Sequence, residues 1–370
     1  MPFTPFEAIS LRPLLRQSLE PLLASRNLGQ APVLEFAAEV MGSVSRYREE
    51  GKRLFPVVFL CRDLERLLRE CGGEDPIEIG QGRADIETAR RMLKLCSPLG
   101  EGRSWVIYAV AGGGDNLRFG VFRAPRSAVL PTALERLRAS VDPGLEACGF
   151  VQIAEGVVEA RVSCDRRLYA SVDGSSDRLE PPTQVIKDFI ASVRRDAPEA
   201  AREAIGRFYY RVLIDVMQVW HGTLAAVIPF QGPFQGPLQA SARPAGLLED
   251  AVTLAAPIDV AQHVLDYLRD GTEATSSRLN ADANLIRGML AADGITVFRS
   301  DGAVVGYNAF LHRLPDGAPA QASTTLGGAR QRAFEQLSAL VGHELVAAFC
   351  RSQDGTAFCR ASWSALPRGN

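Results

Sequence analysis

Near the middle of the chain, Asp173-Gly174-Ser175-Ser176-Asp177 is followed by Pro181-Pro182, the strongest break in the sequence. Clustered Asp, Gly and Ser favour turns, and consecutive prolines do not continue a helix or a central strand. On either side, apolar residues come in short runs separated by turn signals, so each half must bury many short elements. The break divides the 370 residues into two parts, 1–180 and 181–370, and a chain of this length is expected to form about two domains.

In the first part, Leu14, Leu15, Leu19, Leu22 and Leu23, then Val33, Phe36, Ala37 and Val40, recur at helical spacing, so residues 1–55 are expected to be helical. Phe55–Leu60 reads as a short buried strand and Leu64–Cys71 as a helix stopped by Gly72-Gly73. The apolar runs Trp105–Val110 and Leu117–Phe122 flank Ala111-Gly112-Gly113-Gly114-Asp115-Asn116, a hairpin signature. A phosphate-cradling glycine loop needs a helix opening directly after it, and here a second strand follows. Leu130–Val141 reads as a helix, and Phe150–Ile153, Val157–Val162 and Leu168–Val172 as strands. The expectation for 1–180 is an α+β domain with largely antiparallel strands.

The second part alternates helix and strand. A long helical region over Thr183–Val219 is broken at Asp196-Ala197-Pro198, and His221-Gly222-Thr223 then turns into the strand Leu224–Ile228. Gln231–Leu238 reads as two copies of a Gln-Gly-Pro turn, and 239–256 as irregular. Helices are expected over Ile258–Asp270 and Ala283–Ala291. Asp293–Phe298 and Ala303–Phe310 read as strands joined by a Ser300-Asp301-Gly302 turn. A helix opening at Leu326–Arg332 runs to Val341, and a last hairpin joins Glu344–Cys350 to Thr356–Cys359 across Ser352-Gln353-Asp354-Gly355. This alternation predicts an α/β fold, a sheet with helices packed on it.

Composition removes several function classes. Lys and Arg total 41 against 43 Asp and Glu, so the basic excess of a nucleic-acid-coating protein is absent. The longest apolar run, about Leu224–Phe230, is far short of a membrane span. No basic stretch followed by an apolar one opens the chain, so no secretory signal is read. Seven irregularly spaced cysteines without a Cys-x-x-Cys pair read as reduced thiols of a cytoplasmic protein. The histidines, His221, His263, His312 and His343, have no second ligand at i+3 or i+4, which argues against a structural zinc.

Three elements of the last 80 residues combine into a chemistry: Asp293-Gly294 at the start of a strand, Gly328-Ala329-Arg330-Gln331-Arg332 at a helix start, and Ser352-Gln353-Asp354 in a turn. A helix start offers free N–H groups and a positive dipole end to an anion. Arg330 and Arg332 add planar, permanently charged donors suited to phosphate oxygens. An acid beside a nucleotide, Asp293 or Asp354, can hold a divalent metal together with phosphate and water. Asp301-Gly302-Ala303 is read as a hairpin turn, although it spells an Asp-Gly-Ala triplet.

The order and spacing of these motifs resemble the diadenylate cyclases, which condense two ATP molecules into cyclic di-AMP. That family carries Asp-Gly-Ala at a strand, Gly-Thr-Arg-His-Arg at a helix start and a Ser-Glu-Glu turn. The matching text here is Asp293-Gly294-Ile295, Gly328-Ala329-Arg330-Gln331-Arg332 and Ser352-Gln353-Asp354, and the resemblance covers about 205–370. It implies a mixed sheet flanked by helices, with Mg²⁺ or Mn²⁺ held by Asp293 and Asp354 when a triphosphate binds. Asp293 would also activate the attacking 3′-hydroxyl, and Gly294, Gly328, Ala329, Arg330, Gln331, Arg332 and Ser352 would surround the nucleotide. It further implies that an active cyclase needs a face-to-face homodimer.

The departures favour binding over catalysis. Ile295 stands for Ala, Ala329 for a hydroxyl-bearing Thr, Gln331 for His and Gln353 for an acid. The missing hydroxyl, imidazole and carboxylate remove transition-state interactions together, whereas binding needs only the pocket and its arginines. The expectation is a nucleotide sensor of ATP or a cyclic dinucleotide that signals through residues 1–180, read as a sensor domain, or through a partner. An active diadenylate cyclase and a non-catalytic interaction protein are the alternatives.

Overall fold

Apolar stripes at helical spacing bury one face each of α1 (Leu11–Ala24) and α2 (Ala31–Val44), with Leu19, Leu23, Val40 and Val44 fully enclosed. The computed structural model describes residues 11–100, 104–124, 129–154, 156–171, 182–218, 222–230, 251–311, 329–352 and 356–362. The chain falls into two compact units: Met1–Arg126 with Pro131–Leu179, and Ser127–Leu130 with Glu180–Asn370. Both are mixed α/β. The turn cluster at 173–177 and the Gln-Gly-Pro pair at 231–238 lie outside the described residues.

In the first unit, the helical expectation for 1–55 fails at its end. There β1 (Arg48–Glu49) and β2 (Lys52–Arg53) form a small hairpin across Glu50 and Gly51, which take left-handed φ of +50° and +80°. β3 (Val58–Cys61) is fully buried. α3 (Leu64–Cys71) starts at Asp63, whose carboxylate accepts the Arg66 N–H, and ends at Gly72 with φ +65°. Next come β4 (Glu74–Arg83), α4 (Ile86–Cys96), β5 (Trp105–Ala111), β6 (Asn116–Arg123), α5 (Ala133–Ala139), β7 (Ala147–Ala154), β8 (Val157–Val162) and β9 (Arg167–Ser171). They make a seven-stranded sheet in the order β4-β6-β5-β3-β7-β8-β9, antiparallel except for the β3–β5 pair. The three glycines at 112–114 turn the β5–β6 hairpin. Buried residues of α1, α2 and α4 cover one face, and those of α3 and α5 the other. β4 runs along the sheet margin, mostly exposed, with Glu74 and Asp75 paired to Arg123 and Glu78 to Arg118.

The second unit opens with α6 (Pro182–Val193) and α7 (Glu199–Gln218), interrupted as Pro198 demands. Then follow β10 (Thr223–Ile228), β11 (Val252–Asp259), α8 (Val260–Asp270), α9 (Glu273–Ala291), β12 (Ile295–Arg299), β13 (Ala303–Ala309), α10 (Ala329–Leu340), β14 (Ala347–Arg351) and β15 (Ala357–Ala361). The sheet order is β11-β13-β12-β10-β14-β15, with β10 and β12 parallel and the other neighbours antiparallel. Two expectations need correction. Residues 252–256, read as irregular, belong to β11, a half-exposed margin strand whose register shifts between Thr253 and Ile258, so it shows no clean alternation. Helix α9 begins ten residues before Ala283; its first half is largely polar, with Leu279 as its one buried residue, and so carries no apolar stripe to read.

One face of this sheet packs against Leu337 and Leu340 of α10. On the other face Phe298 sits 5.6 Å in ring centroid distance from both Phe189 of α6 and Tyr209 of α7. The Tyr209 hydroxyl donates to the Gly302 carbonyl at 2.6 Å. Asp301-Gly302 is the β12–β13 turn, with Asp301 held by Arg299 and Gly302 at φ +94°.

Among the seven free cysteines, Cys164 alone is exposed; burial pushes the Cys71, Cys96 and Cys359 thiols up to about 12. At mildly alkaline pH a thiol reagent is therefore expected to modify Cys164 first, the half-buried Cys359 more slowly and the five buried cysteines only after denaturation, as counted by mass spectrometry. Phe298→Ala should cost about 3–5 kcal/mol in denaturant unfolding, since it empties the centre of an aromatic cluster.

Candidate functional site

Two buried threonines fix where Asp293 emerges. The Thr223 hydroxyl on β10 donates to the Leu290 carbonyl at 2.9 Å, and the Thr296 hydroxyl on β12 donates to the Met289 carbonyl at 3.1 Å. Both carbonyls belong to the last turn of α9, where helix geometry leaves acceptors without N–H partners. The Ala292 N–H closes the same turn onto Gly288 and Met289. The chain then passes through Asp293 into Gly294, whose φ is +89°. A Cβ at Gly294 would stand 2.9 Å from the Ala309 carbonyl oxygen and from Asn308 backbone atoms, so only glycine fits here.

Across the sheet the register aligns Leu224 with Ile295 and Thr223 with Arg351. The starts of β10 and β12 and the finish of β14 therefore share one end. Asp293, Gly294 and Ser352 lie at that end, together with the first turn of α10. Arg330 reaches Asp293 there: its Nη2 donates to Oδ1 at 2.9 Å, across 37 residues of sequence. The Arg330 side chain lies over Gly222, where an added Cβ would meet Cδ at 2.7 Å and Nε at 3.0 Å. The Cys350 thiol sits 4.0 Å from the Arg330 carbonyl and ties α10 to β14.

The other predicted residues are arranged less directly. Arg332 and Ala329 are exposed, and Gln331 is half-buried beside them on the first turn of α10. The Ser352 N–H and hydroxyl both donate to the Thr356 carbonyl, at 2.9 and 3.1 Å, so this serine closes its own turn. Gly328, Gln353, Asp354 and His221 lie outside the described residues. Among the described residues no group of three or more His, Cys, Asp or Glu side chains is gathered to hold a metal ion.

The site's charge balance is local. Asp293 is 84% exposed and Arg330 28%, so their pair contributes at most about 1 kcal/mol to stability. Its significance is positional, because it couples the strand start to the helix start. Sequence reasoning passed over Gly222, which makes room for Arg330, and Arg351, which is fully buried at the same end of the sheet. Each left a signal: a glycine directly before a buried strand, and an arginine closing the apolar run Ala347–Cys350.

No helix among the described residues is long and apolar enough to cross a membrane. No family model, curated protein or solved structure gives a significant match to this chain.

Gly222→Ala is expected to displace the Arg330 side chain and break its contact with Asp293. A crystal structure of the variant checks this; an intact 2.9 Å pair would remove the role given to Gly222.

Proposed function

We propose that the C-terminal unit binds a nucleotide, ATP or a cyclic dinucleotide, and that the protein is a nucleotide sensor that reports occupancy through residues 1–180 or a partner. The observation that carries this reading is the 2.9 Å contact between Arg330 and Asp293, which joins two motifs that were linked only by their order in the sequence. A guanidinium at a helix start and a second one at Arg332 form a donor set suited to a polyphosphate, and the carboxylate at the strand start is a candidate ligand for its divalent counter-ion. The mixed sheet with helices on both faces is in keeping with a diadenylate-cyclase-like fold.

Mg²⁺ or Mn²⁺ fits this site as a companion of the nucleotide. Asp293 supplies one exposed carboxylate, and such ions take their remaining ligands from phosphate oxygens and water. When bound, the ion would neutralise phosphate charge. Arg330 and Arg332 would orient the phosphates, and the first-turn N–H groups of α10 would bond oxygens that the arginines leave free. Ala329 and Gln331 offer neither a hydroxyl nor an imidazole there. Retained recognition without cyclisation follows from that loss.

The test incubates purified protein with ATP and Mg²⁺ or Mn²⁺ and identifies free and bound nucleotides by mass spectrometry. The expected result is nucleotide retained on the protein, no cyclic di-AMP, and loss of retention in an Arg330→Ala, Arg332→Ala double variant. Cyclic di-AMP that disappears in Asp293→Asn would make the protein a cyclase, acting as a face-to-face dimer. Absence of both retention and product, with ATP and with cyclic di-AMP supplied, would leave an interaction protein on this fold.

A further inference from the structure

Resting on that nucleotide reading, we propose that Asp293 is an internal competitor for the phosphate, so that the site rejects a bare anion and accepts a phosphate accompanied by a divalent cation. The guanidinium that would receive the phosphate already has an anionic partner, the Asp293 carboxylate at 2.9 Å. The two partners are held very differently. Arg330 is mostly covered and lies on Gly222, where no side chain can come between it and the backbone. The backbone of Asp293 is anchored by the last turn of α9 and by Gly294, packed against the Ala309 carbonyl. Its carboxylate is 84% exposed, so nothing buried resists its turning away.

A bare anion approaching Arg330 must first displace this carboxylate and then remain beside it, like charge next to like charge. A divalent cation changes both terms. With such an ion present, Asp293 would serve as its ligand instead of pairing with Arg330, leaving the guanidinium to the phosphate, and the ion would supply charge neutralisation between the carboxylate and the phosphate. Cation and phosphate therefore assist each other, and linkage makes the assistance equal in both directions. Because the pair is largely solvated, the penalty on the bare anion is about five-fold in affinity.

The experiment is calorimetric titration of the full-length protein at constant ionic strength with ATP, with inorganic tripolyphosphate and with cyclic di-AMP. Each is run in EDTA and in Mg²⁺ for the parent chain, Asp293→Asn and Arg330→Gln. Thermal melts check that both variants fold: Asp293 is exposed, and Arg330, mostly covered, is replaced by a polar residue that keeps part of its stem. In EDTA, Asp293→Asn should bind ATP and tripolyphosphate about five-fold tighter than the parent and should lose most of the gain that Mg²⁺ confers. Metal-free binding no tighter in Asp293→Asn, or an undiminished Mg²⁺ gain, overturns the competition while leaving the nucleotide reading intact. No binding by the parent in any arm, or binding untouched by Arg330→Gln, overturns the nucleotide reading itself.

Discussion

Two neighbouring strands that run in the same direction begin at the same end of their sheet. In the C-terminal unit that constraint falls on β10 and β12, paired in register from Leu224–Ile295 onward. It sets Gly222 beside Asp293, although they are far apart in sequence. Antiparallel β14 then has to finish where β10 begins, which brings Ser352 to that end. Since α10 precedes β14 and lies back along it, its first turn also comes to that end, carrying Arg330. The meeting of three motifs is a consequence of strand direction more than of attraction between their side chains.

Small and neutral residues do most of the positioning. Thr223 and Thr296 hold the last turn of α9, Gly294 makes the sharp approach into β12, and Gly222 leaves room for Arg330. The charged residues they position contribute little to stability, so they are free to change partners.

The parts of the fold that are legible in sequence are those with local punctuation. Helix α3 shows its Asp63 start and its Gly72 stop, and the hairpins at 105–123 and 295–309 show apolar runs around glycine turns. The margin strands β4 and β11 are not legible, because burial on one face writes the alternation and neither is buried on a face. The largely polar first half of α9, with only Leu279 buried, is hidden for the same reason. Within the site, residues with distinctive chemistry, Asp293 and Arg330, can be seen in the sequence. Gly222 shows only as a glycine directly before a buried strand; its role depends on an arginine delivered by another element, which that local signal does not reveal. Arg351 is a partial case: a charge within an apolar strand is conspicuous, but its depth of burial is a tertiary fact.

The margin of the N-terminal sheet carries a consequence of its own. β4 presents a ten-residue edge, long enough to template pairing with a foreign strand. Pro76 breaks the row of amide donors, and the carboxylates of Glu74, Asp75 and Glu78 line it with negative charge. Their partners, Arg118 and Arg123, sit one strand inward, so the side chains that pair across β4 and β6 also make the sheet's border inhospitable to a second chain.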